Sequence, residues 1–303
     1  MRCKALLHVA LSFFLWAGGP FALWAQLDPI YSCYINNPVT INPALTGANH
    51  QLTTTLQFRT QWAGLNANPA TINFSSHSSV YRNQGGVGIS VIQDKVGEVK
   101  NTEFRTMFSY RIPLRTATLS FGMQSGFIRY QNDLSALTIL DPGDPAFVPI
   151  TETSFSTGAG VAIMSDNYFA GISVPRLIPA RISNGGQPIE LYHRTFYLTG
   201  AYLFTLSEGI RLRPSMLMKY ISNNPVSVDL NINLLVKNMT AGLFTRNLGT
   251  AGILATYTVS GFKVGYTLEL PIRSTGLQFT THEVFVSYSA KVFHFQELTQ
   301  KVF

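Results

Sequence analysis

Polar and apolar side chains alternate along most of this chain. In the stretch from Val226 to Val236, serine, aspartate and asparagine occupy the odd positions 227 to 233, and valine, leucine and isoleucine lie between them. Side chains that alternate with a period of two point to opposite faces of a β-strand. About fourteen such segments are predicted as strands; they lie near residues 52–60, 70–80, 86–95, 102–112, 118–130, 154–164, 168–174, 195–206, 210–220, 226–237, 239–246, 252–259, 262–270 and 282–293.

Two folds accommodate strands with one apolar and one polar face. A soluble sandwich turns the apolar face inward, whereas an outer-membrane barrel turns it toward lipid and the polar face toward a lumen. Many segments are longer than the five or six residues that are usual for soluble strands, and Tyr and Phe recur near segment ends. We therefore predict an all-β fold, a transmembrane antiparallel up-and-down β-barrel of about 14 strands, with a secreted two-sheet sandwich as the alternative.

Composition favours the barrel. Charged residues make up 12% of the chain, about half the share of soluble domains, and aromatic residues also make up 12%. The formal net charge is +7, but no Lys/Arg-rich run is present, which gives nucleic-acid binding little support. Beyond residue 25 no apolar stretch reaches the length of a spanning helix, so strands must make any membrane crossing. The longer connections, near residues 131–153 and 176–194, are expected at the outer face.

The first 25 residues have the order of a secretory signal peptide. Two cations precede an apolar run over residues 5–17, and Gly18-Gly19-Pro20 interrupts it before a small residue at Ala25. An uncleaved membrane anchor is the alternative, and both interpretations take the protein out of the cytoplasm. Cleavage would leave Cys33 as the single cysteine, so no intramolecular disulfide is expected. The predicted organisation is a signal peptide (1–25), an N-terminal lead-in segment (26–51) and a barrel (52–303).

The lead-in segment contains two Asn-Pro steps. Asn37-Pro38 and Asn42-Pro43 exclude a continuous helix, and Gly47 permits a sharp entry into the first strand. A segment this apolar is not expected to stay solvated. We expect it to pack into the barrel mouth or against a periplasmic partner, and an ordinary ordered lead-in is the alternative.

Candidate chemistry is sparse. His77 and a neighbouring serine of the His77-Ser78-Ser79 run share a strand face, but no oriented third partner is recognisable at a readable spacing. The six histidines lack metal-ligand spacing, and Gly85-Gly86-Val87-Gly88 is not followed by a helix that would make a phosphate loop. Glycines at alternating lumen positions make room for bulky neighbours instead. No catalytic residue, metal site or cofactor is predicted.

Four ordered blocks carry a family resemblance. They are DPIYSCYINNPVTINPALTG from residue 28, FRTQWAGLNANPATINFSSHSSV from residue 58, GGVGISVIQDKVGEVKNTEFRTMFSYRIPL from residue 85 and THEVFVSYSAK from residue 281. In these blocks the chain resembles the PorP/SprF membrane proteins of the type IX secretion system. The resemblance implies a noncatalytic barrel in the outer membrane of a Gram-negative bacterium, which serves as an adaptor or anchor for secretion-ring or lipoprotein components and for cargo C-terminal signal domains. In some relatives it implies gliding.

The resemblance also transfers particular residues. Those of the lead-in are Asn37, Pro38, Asn42, Pro43, Ala44 and Gly47; those of the first turn, the third strand and the last strand are Arg59, Gln61, Trp62, Asp94, Lys95, Gly97, His282 and Glu283. We hypothesise that Arg59 or Lys95 pairs with Asp94 or Glu283 to brace the lumen, because charges in a lumen persist only if they are paired or hydrated. Trp62 suits an interfacial position.

A passive porin or uptake channel for small solutes is the alternative function. About fourteen strands is close to the size at which a barrel interior can be open. The sequence does not decide between a plugged and an open lumen.

Overall fold

The computed structural model describes residues 32–133, 149–184, 187–222, 224–272 and 279–292. The predicted signal peptide, the first residues of the lead-in and the carboxyl-terminal residues 293–303 lie outside this range. In the described part of the chain, no helix is both long enough and apolar enough to cross a membrane.

Three short 3-10 helices precede seventeen strands in the described residues. The helices are η1 (Ser32–Ile35), η2 (Pro38–Thr40) and η3 (Pro43–Leu45). The strands are β1 (Leu52–Thr60), β2 (Ala70–Val80), β3 (Gly85–Val96), β4 (Val99–Pro113), β5 (Thr118–Asn132), β6 (Ile150–Met164), β7 (Tyr168–Val174), β8 (Ala180–Asn184), β9 (Gln187–Tyr192), β10 (Thr195–Tyr202), β11 (Phe204–Ser207), β12 (Ile210–Ile221), β13 (Ser227–Val236), β14 (Met239–Arg246), β15 (Thr250–Val259), β16 (Phe262–Pro271) and β17 (Thr281–Ala290).

Fourteen of these strands close into an antiparallel barrel. Strands β1 to β7 pair in sequence order, β10 joins β7 to β12, and β12 to β17 continue in order until β17 pairs with β1. Closure gives every strand two neighbours, which satisfies the backbone groups that hydrocarbon cannot. The predicted all-β up-and-down barrel of about 14 strands is therefore confirmed, and the sandwich is wrong.

Two details differ from the predicted strands. The predicted segment 195–206 is divided by Leu203, whose backbone N–H donates to Asn167 O at 2.7 Å, and β11 continues along β12 beyond this break. The connection after β7, predicted as a loop, contains the separate β8–β9 hairpin.

The apolar faces of the strands form the outside of the barrel. In β13, Leu230 and Ile232 are each 47% exposed, whereas Asp229 and Asn233 are buried. The same pattern recurs in β4, where phenylalanine and tyrosine point outward and Arg105 points inward. Large apolar side chains on the outer surface of a barrel are favourable when that surface contacts lipid, so this arrangement is typical of a membrane barrel.

The two rims of the barrel differ in the length of their connections. At the rim where β1 begins and β17 ends, the connections are short, such as residues 81–84, 208–209 and 260–261. We call this the turn end. The opposite rim, the loop end, carries longer connections, including residues 61–69, 133–149 and 175–194. In outer-membrane barrels the short turns are periplasmic and the long loops extracellular.

A plugged lumen as the candidate functional site

The lumen is occupied by the chain's own lead-in segment. Residues 32–48, which we call the plug, contain the three 3-10 helices and lie against the inner wall, where η3 contacts β4, β5 and β6. Asn42, Ala44 and Thr46 are completely buried. A segment expected at the barrel mouth or on a partner therefore lies inside the barrel.

The two Asn-Pro steps set the local shape of the plug. Pro38 and Pro43 each take the first position of a 3-10 helix, where proline's missing N–H costs nothing and its φ is already suitable. The Asn42 side chain caps η3 by accepting a hydrogen bond from Ala44 N at 2.9 Å, and its amide donates to Val161 O of β6 at 3.3 Å. The same asparagine thus shapes the plug and attaches it to the wall.

Wall side chains bind the carbonyl groups that the short helices leave free. Burying a carbonyl group without a hydrogen-bond partner costs about 1–3 kcal/mol of stability. These contacts therefore allow the plug to be buried inside the barrel. Thr46 O accepts from Ser109 Oγ and from Arg111 Nη1, each at 2.7 Å. The other hydrogen bonds, each from a wall side chain to a plug carbonyl, are Ser120 Oγ to Ala44 O at 2.6 Å, Ser173 Oγ to Ile41 O at 2.7 Å and Arg105 Nη1 to Thr40 O at 3.3 Å.

Glycines of the wall make room for the plug backbone. A Cβ added to Gly122 would lie 2.1 Å from Ala44 N, and one added to Gly86 would lie 2.1 Å from Thr46 O. Real Cβ atoms essentially never approach other atoms so closely. The lumen glycines were expected to accommodate bulky neighbours, and at these two positions the neighbour is the plug.

His77 holds the end of the plug that leads into β1. Gly47, with φ of +66°, turns the chain there, and its N–H donates to His77 Nδ1 at 3.0 Å. Both groups are buried. The histidine considered as a candidate for catalysis therefore has a structural role as a hydrogen-bond acceptor for the plug.

A buried ionic network holds the other end of the plug. Arg59 Nη1 lies 2.7 Å from Glu269 Oε1 and 3.1 Å from Glu283 Oε2. Arg246 Nε pairs with Asp229 at 2.9 Å, and its Nη1 lies 3.7 Å from Glu269. The backbone N–H of Ser32, at the start of η1, donates to Glu283 Oε2 at 2.9 Å. Buried charges are tolerated in such a wall because each has an opposite partner.

A second ionic network lies where the connection after β7 turns inward. Glu103 pairs with Arg105 of the same strand at 3.0 Å and with Arg176 from this connection. The Arg176 guanidinium also lies over the Tyr192 ring, 4.1 Å from its centroid, and Tyr192 packs with Ile128. The connection is thereby attached to the inner wall of the barrel.

The residues suggested by the resemblance do not form one site. The lead-in residues lie together in the plug, and Arg59 contacts Glu283 directly. Asp94 accepts from Thr71 Oγ1 at 2.6 Å, while Lys95 is exposed. The other members lie at the loop end: Gln61 and the 40% exposed Trp62 in the β1–β2 connection, Gly97 in the β3–β4 turn, and His282 on the outer face of β17.

Sequence reasoning missed several functional-site residues. Glu269, Arg246 and Asp229 complete the network around Arg59, and Arg111 joins the plug to the β2–β3 turn by donating to Thr46 O and Asn83 O. The available signal was that these residues lie on the polar faces of predicted strands, which marks them as lumen-facing but does not show which of them meet. In the described residues, no group of three or more His, Cys, Asp or Glu could hold a metal ion.

Comparison with known proteins identifies the family. The family model for the type IX secretion system membrane protein PorP/SprF matches residues 23–288 of this chain. The chain belongs to the PorP/SprF family. It is thus a β-barrel membrane protein of the type IX secretion system. No curated protein matches it.

Several solved structures are similar to this chain. The CymD monoaromatic hydrocarbon channel aligns with a TM-score of 0.57 at 10% identity, covering 90% of this chain and 96% of that one. The Pseudomonas putida toluene transporter TodX has a TM-score of 0.49 at 9% identity, covering 88% and 95%. Omp33 of Acinetobacter baumannii has a TM-score of 0.49 at 7% identity, covering 80% and 100%. At these identities CymD supports the barrel fold alone.

Proposed function

We propose that this PorP/SprF protein is a noncatalytic adaptor or anchor of the type IX secretion system in the outer membrane. Its partners are secretion-ring or lipoprotein components and the C-terminal signal domains of secreted cargo. In this role the barrel holds its partners at the membrane and does not itself form the route for a solute. Any contribution to gliding would follow from the cargo that it serves.

The occupied lumen is the observation that carries this proposal. A channel needs a continuous path, but the plug contacts the wall on β4, β5 and β6 and is hydrogen-bonded to it along its length. On the other side of the plug, Tyr34, Ile35 and Ile41 line a small cavity against strands β7, β10 and β12. This geometry supports a structural role over passive conduction.

An affinity pull-down from detergent-solubilised envelopes tests the adaptor role. The full-length protein should recover secretion-ring lipoproteins under mild conditions, and its deletion should reduce secretion of cargo with C-terminal signal domains. A matched control is an unrelated outer-membrane barrel carrying the same tag. Failure to recover ring components while secretion remains normal would contradict the proposal.

Planar-bilayer recording tests the porin alternative. The wild-type protein should show no steady conductance, because the plug lies in the lumen and is hydrogen-bonded to its wall. Steady conductance by the wild-type protein, combined with normal secretion after deletion, would favour the porin.

A further inference from the structure

The outer wall of the barrel carries very little charge. Among the described residues of the fourteen wall strands, three side chains of Asp, Glu, Lys or Arg lie on the lipid-facing side, and all three are cations. They are Lys95 near the end of β3, Lys100 near the start of β4 and Arg129 near the end of β5. A charge on this side of a barrel is destabilising at the middle of the membrane and is tolerated near the interface. The three cations therefore need a specific explanation.

The strand register brings the three cations together. Lys95 and Lys100 are directly opposite each other across the β3–β4 ladder. Lys100 is opposite Gln131 of β5, and Arg129 lies two residues from Gln131 on the same face. The Cβ atoms of directly opposite residues are about 5 Å apart, and those of diagonal neighbours are about 7–8 Å apart. The three charges thus form one patch at the loop end, which we call the cation patch (Lys95, Lys100 and Arg129).

The wall does not neutralise the cation patch. Asp94 belongs to the other face of β3 and accepts a hydrogen bond from Thr71 Oγ1. In the part of the chain that the structure describes, no ion pair joins the patch to a carboxylate, Glu98 of the β3–β4 turn included. Its neighbours on the same face are uncharged; they are Gln93, Thr102, Gln131 and Thr153. Because like charges opposite each other in a ladder are destabilising, an anion from outside the chain would stabilise this arrangement.

The cation patch lies at the level of the lipid headgroups. It adjoins the two-residue turn 97–98 at the loop-end rim. A row of aromatic side chains lies below it on the same face, formed by Phe104, Phe127 and Phe155, which are in register across β4, β5 and β6. The ring centroids of Phe127 and Phe155 are 5.8 Å apart. Such rows mark the membrane interface, and Arg129 is two residues beyond this one, or about 7 Å along the strand.

We propose that the cation patch binds a phosphate group of the phosphorylated glycolipid that forms the outer leaflet of the outer membrane. The loop end faces the outer leaflet, because the long loops of such barrels are extracellular. Lysine provides a compact positive charge for phosphate, and the arginine guanidinium can bind two phosphate oxygens at once. The hydroxyl of Thr102 and the amide of Gln131 add hydrogen-bond donors beside the cations. Lys95, expected to brace the lumen, thus has its role on the outer face.

This site is independent of the plug and of the proposed adaptor role. The ionic networks of the lumen hold parts of the chain to one another, whereas the cation patch holds a lipid against the outer face of β3, β4 and β5. A bound phosphate would also fix the height of this side of the barrel in the membrane.

Lipid titration of the purified full-length protein in nonionic detergent, followed by native mass spectrometry, tests the proposal. The probe is monophosphoryl lipid A, and the same lipid without its phosphate is the comparison. The patch variant combines Lys95→Gln, Lys100→Gln and Arg129→Gln. The matched control variant combines Arg82→Gln, Arg115→Gln and Lys237→Gln, which remove the same charge from exposed turns at the turn end.

The wild-type protein should bind one molecule of the phosphorylated lipid with preference over the dephosphorylated one. Each Lys or Arg near an anionic lipid surface contributes about fivefold to binding, so the patch variant should bind about 100-fold more weakly. The control variant should bind as the wild type does, and a variant with Lys95→Arg and Lys100→Arg should retain binding. Equal affinities of the patch variant and the wild type would refute the site, as would an equal loss in the control variant.

Two further outcomes would also overturn the proposal. Equal binding of the two lipids by the wild-type protein would mean that phosphate is not recognised, and this comparison needs no variant to fold. Displacement of the lipid by inorganic phosphate, but not by chloride at the same ionic strength, would assign the patch to a free anion. Heat-modifiable gel migration confirms for each variant that the barrel is folded.

Discussion

Substituting Gly122 with alanine tests whether the plug and the barrel wall fit each other at backbone distance. Gly122 faces the lumen in the middle of the plug contact, and the added Cβ would lie 2.1 Å from Ala44 N and 2.2 Å from Pro43 C. Gly200→Ala is the matched control, because it makes the same chemical change in another wall strand, where the nearest atom, Phe169 O, is 3.7 Å away.

The structure sets the size of the expected effect. Ordinary contact begins at 3.4 Å, so the plug must move by about 1.3 Å at Ala44. Overpacking of this kind costs about 1–3 kcal/mol. The movement also strains the hydrogen bonds that Ala44 forms with Ser120 and Asn42, each contributing about 0.5–1.5 kcal/mol. We expect Gly122→Ala to destabilise the plugged state by about 2–5 kcal/mol, and Gly200→Ala by less than about 1 kcal/mol.

Two assays read this effect. The midpoint of the heat-induced change in gel migration should fall for Gly122→Ala, and planar-bilayer recording should show intermittent conductance when the plug leaves its site. The barrel itself should persist, because Gly122 keeps its strand pairing with Gly160 and Ser109. If Gly122→Ala matches Gly200→Ala in both assays, the plug does not pack as described.

Three further substitutions test other parts of the site and the membrane face. Arg59→Met should lower the unfolding free energy by about 3–5 kcal/mol, because it leaves two buried carboxylates without their main partner. The assay is the midpoint of the heat-induced change in gel migration, with Arg82→Met in an exposed turn as the control. Equal midpoints for the two variants would contradict the network. Leu230→Arg, in the middle of a lipid-facing strand, should reduce the free energy of folding into lipid vesicles by about 2–4 kcal/mol, as measured by refolding titrations. Leu206→Arg, near the turn end, should reduce it by about 0–1 kcal/mol. Equal reductions would argue against this position of the barrel in the membrane. His77→Ala should cost about 1–3 kcal/mol, because the Gly47 N–H loses its acceptor, and retained cargo secretion in the same strain would separate this structural role from catalysis.

The strands were predictable because their signal is local. Segments 52–60, 70–80, 168–174 and 239–246 coincide with β1, β2, β7 and β14. The alternation that defines them depends on the two faces of each strand meeting different surroundings, and that contrast is written into neighbouring residues. The β8–β9 hairpin was missed because it forms a separate two-stranded sheet that is not part of the barrel wall, so the alternation of the wall strands does not extend to it.

The contacts inside the lumen were not predictable because they join distant parts of the chain. Arg59 and Glu269, for example, are 210 positions apart, and which carboxylate meets Arg59 depends on how strands β16, β17 and β1 align around the barrel. The sequence marked Arg59 and Glu283 through a family pattern but contained no sign that Glu269 or Arg246 belonged with them. Likewise, the need for a glycine at position 122 becomes visible when Ala44 is placed beside it in the folded barrel.

From sequence alone follow the family, the all-β class, the strand order and the face that each strand turns to lipid, because a period of two and the lipid contrast act along the chain. The tertiary structure decided that the lead-in fills the lumen, in which direction it runs and which charges hold it. Those outcomes depend on closure of the barrel, because its interior forms when the first and last strands pair. The side chains that then meet inside it come from residues far apart in the sequence and must match in shape and charge.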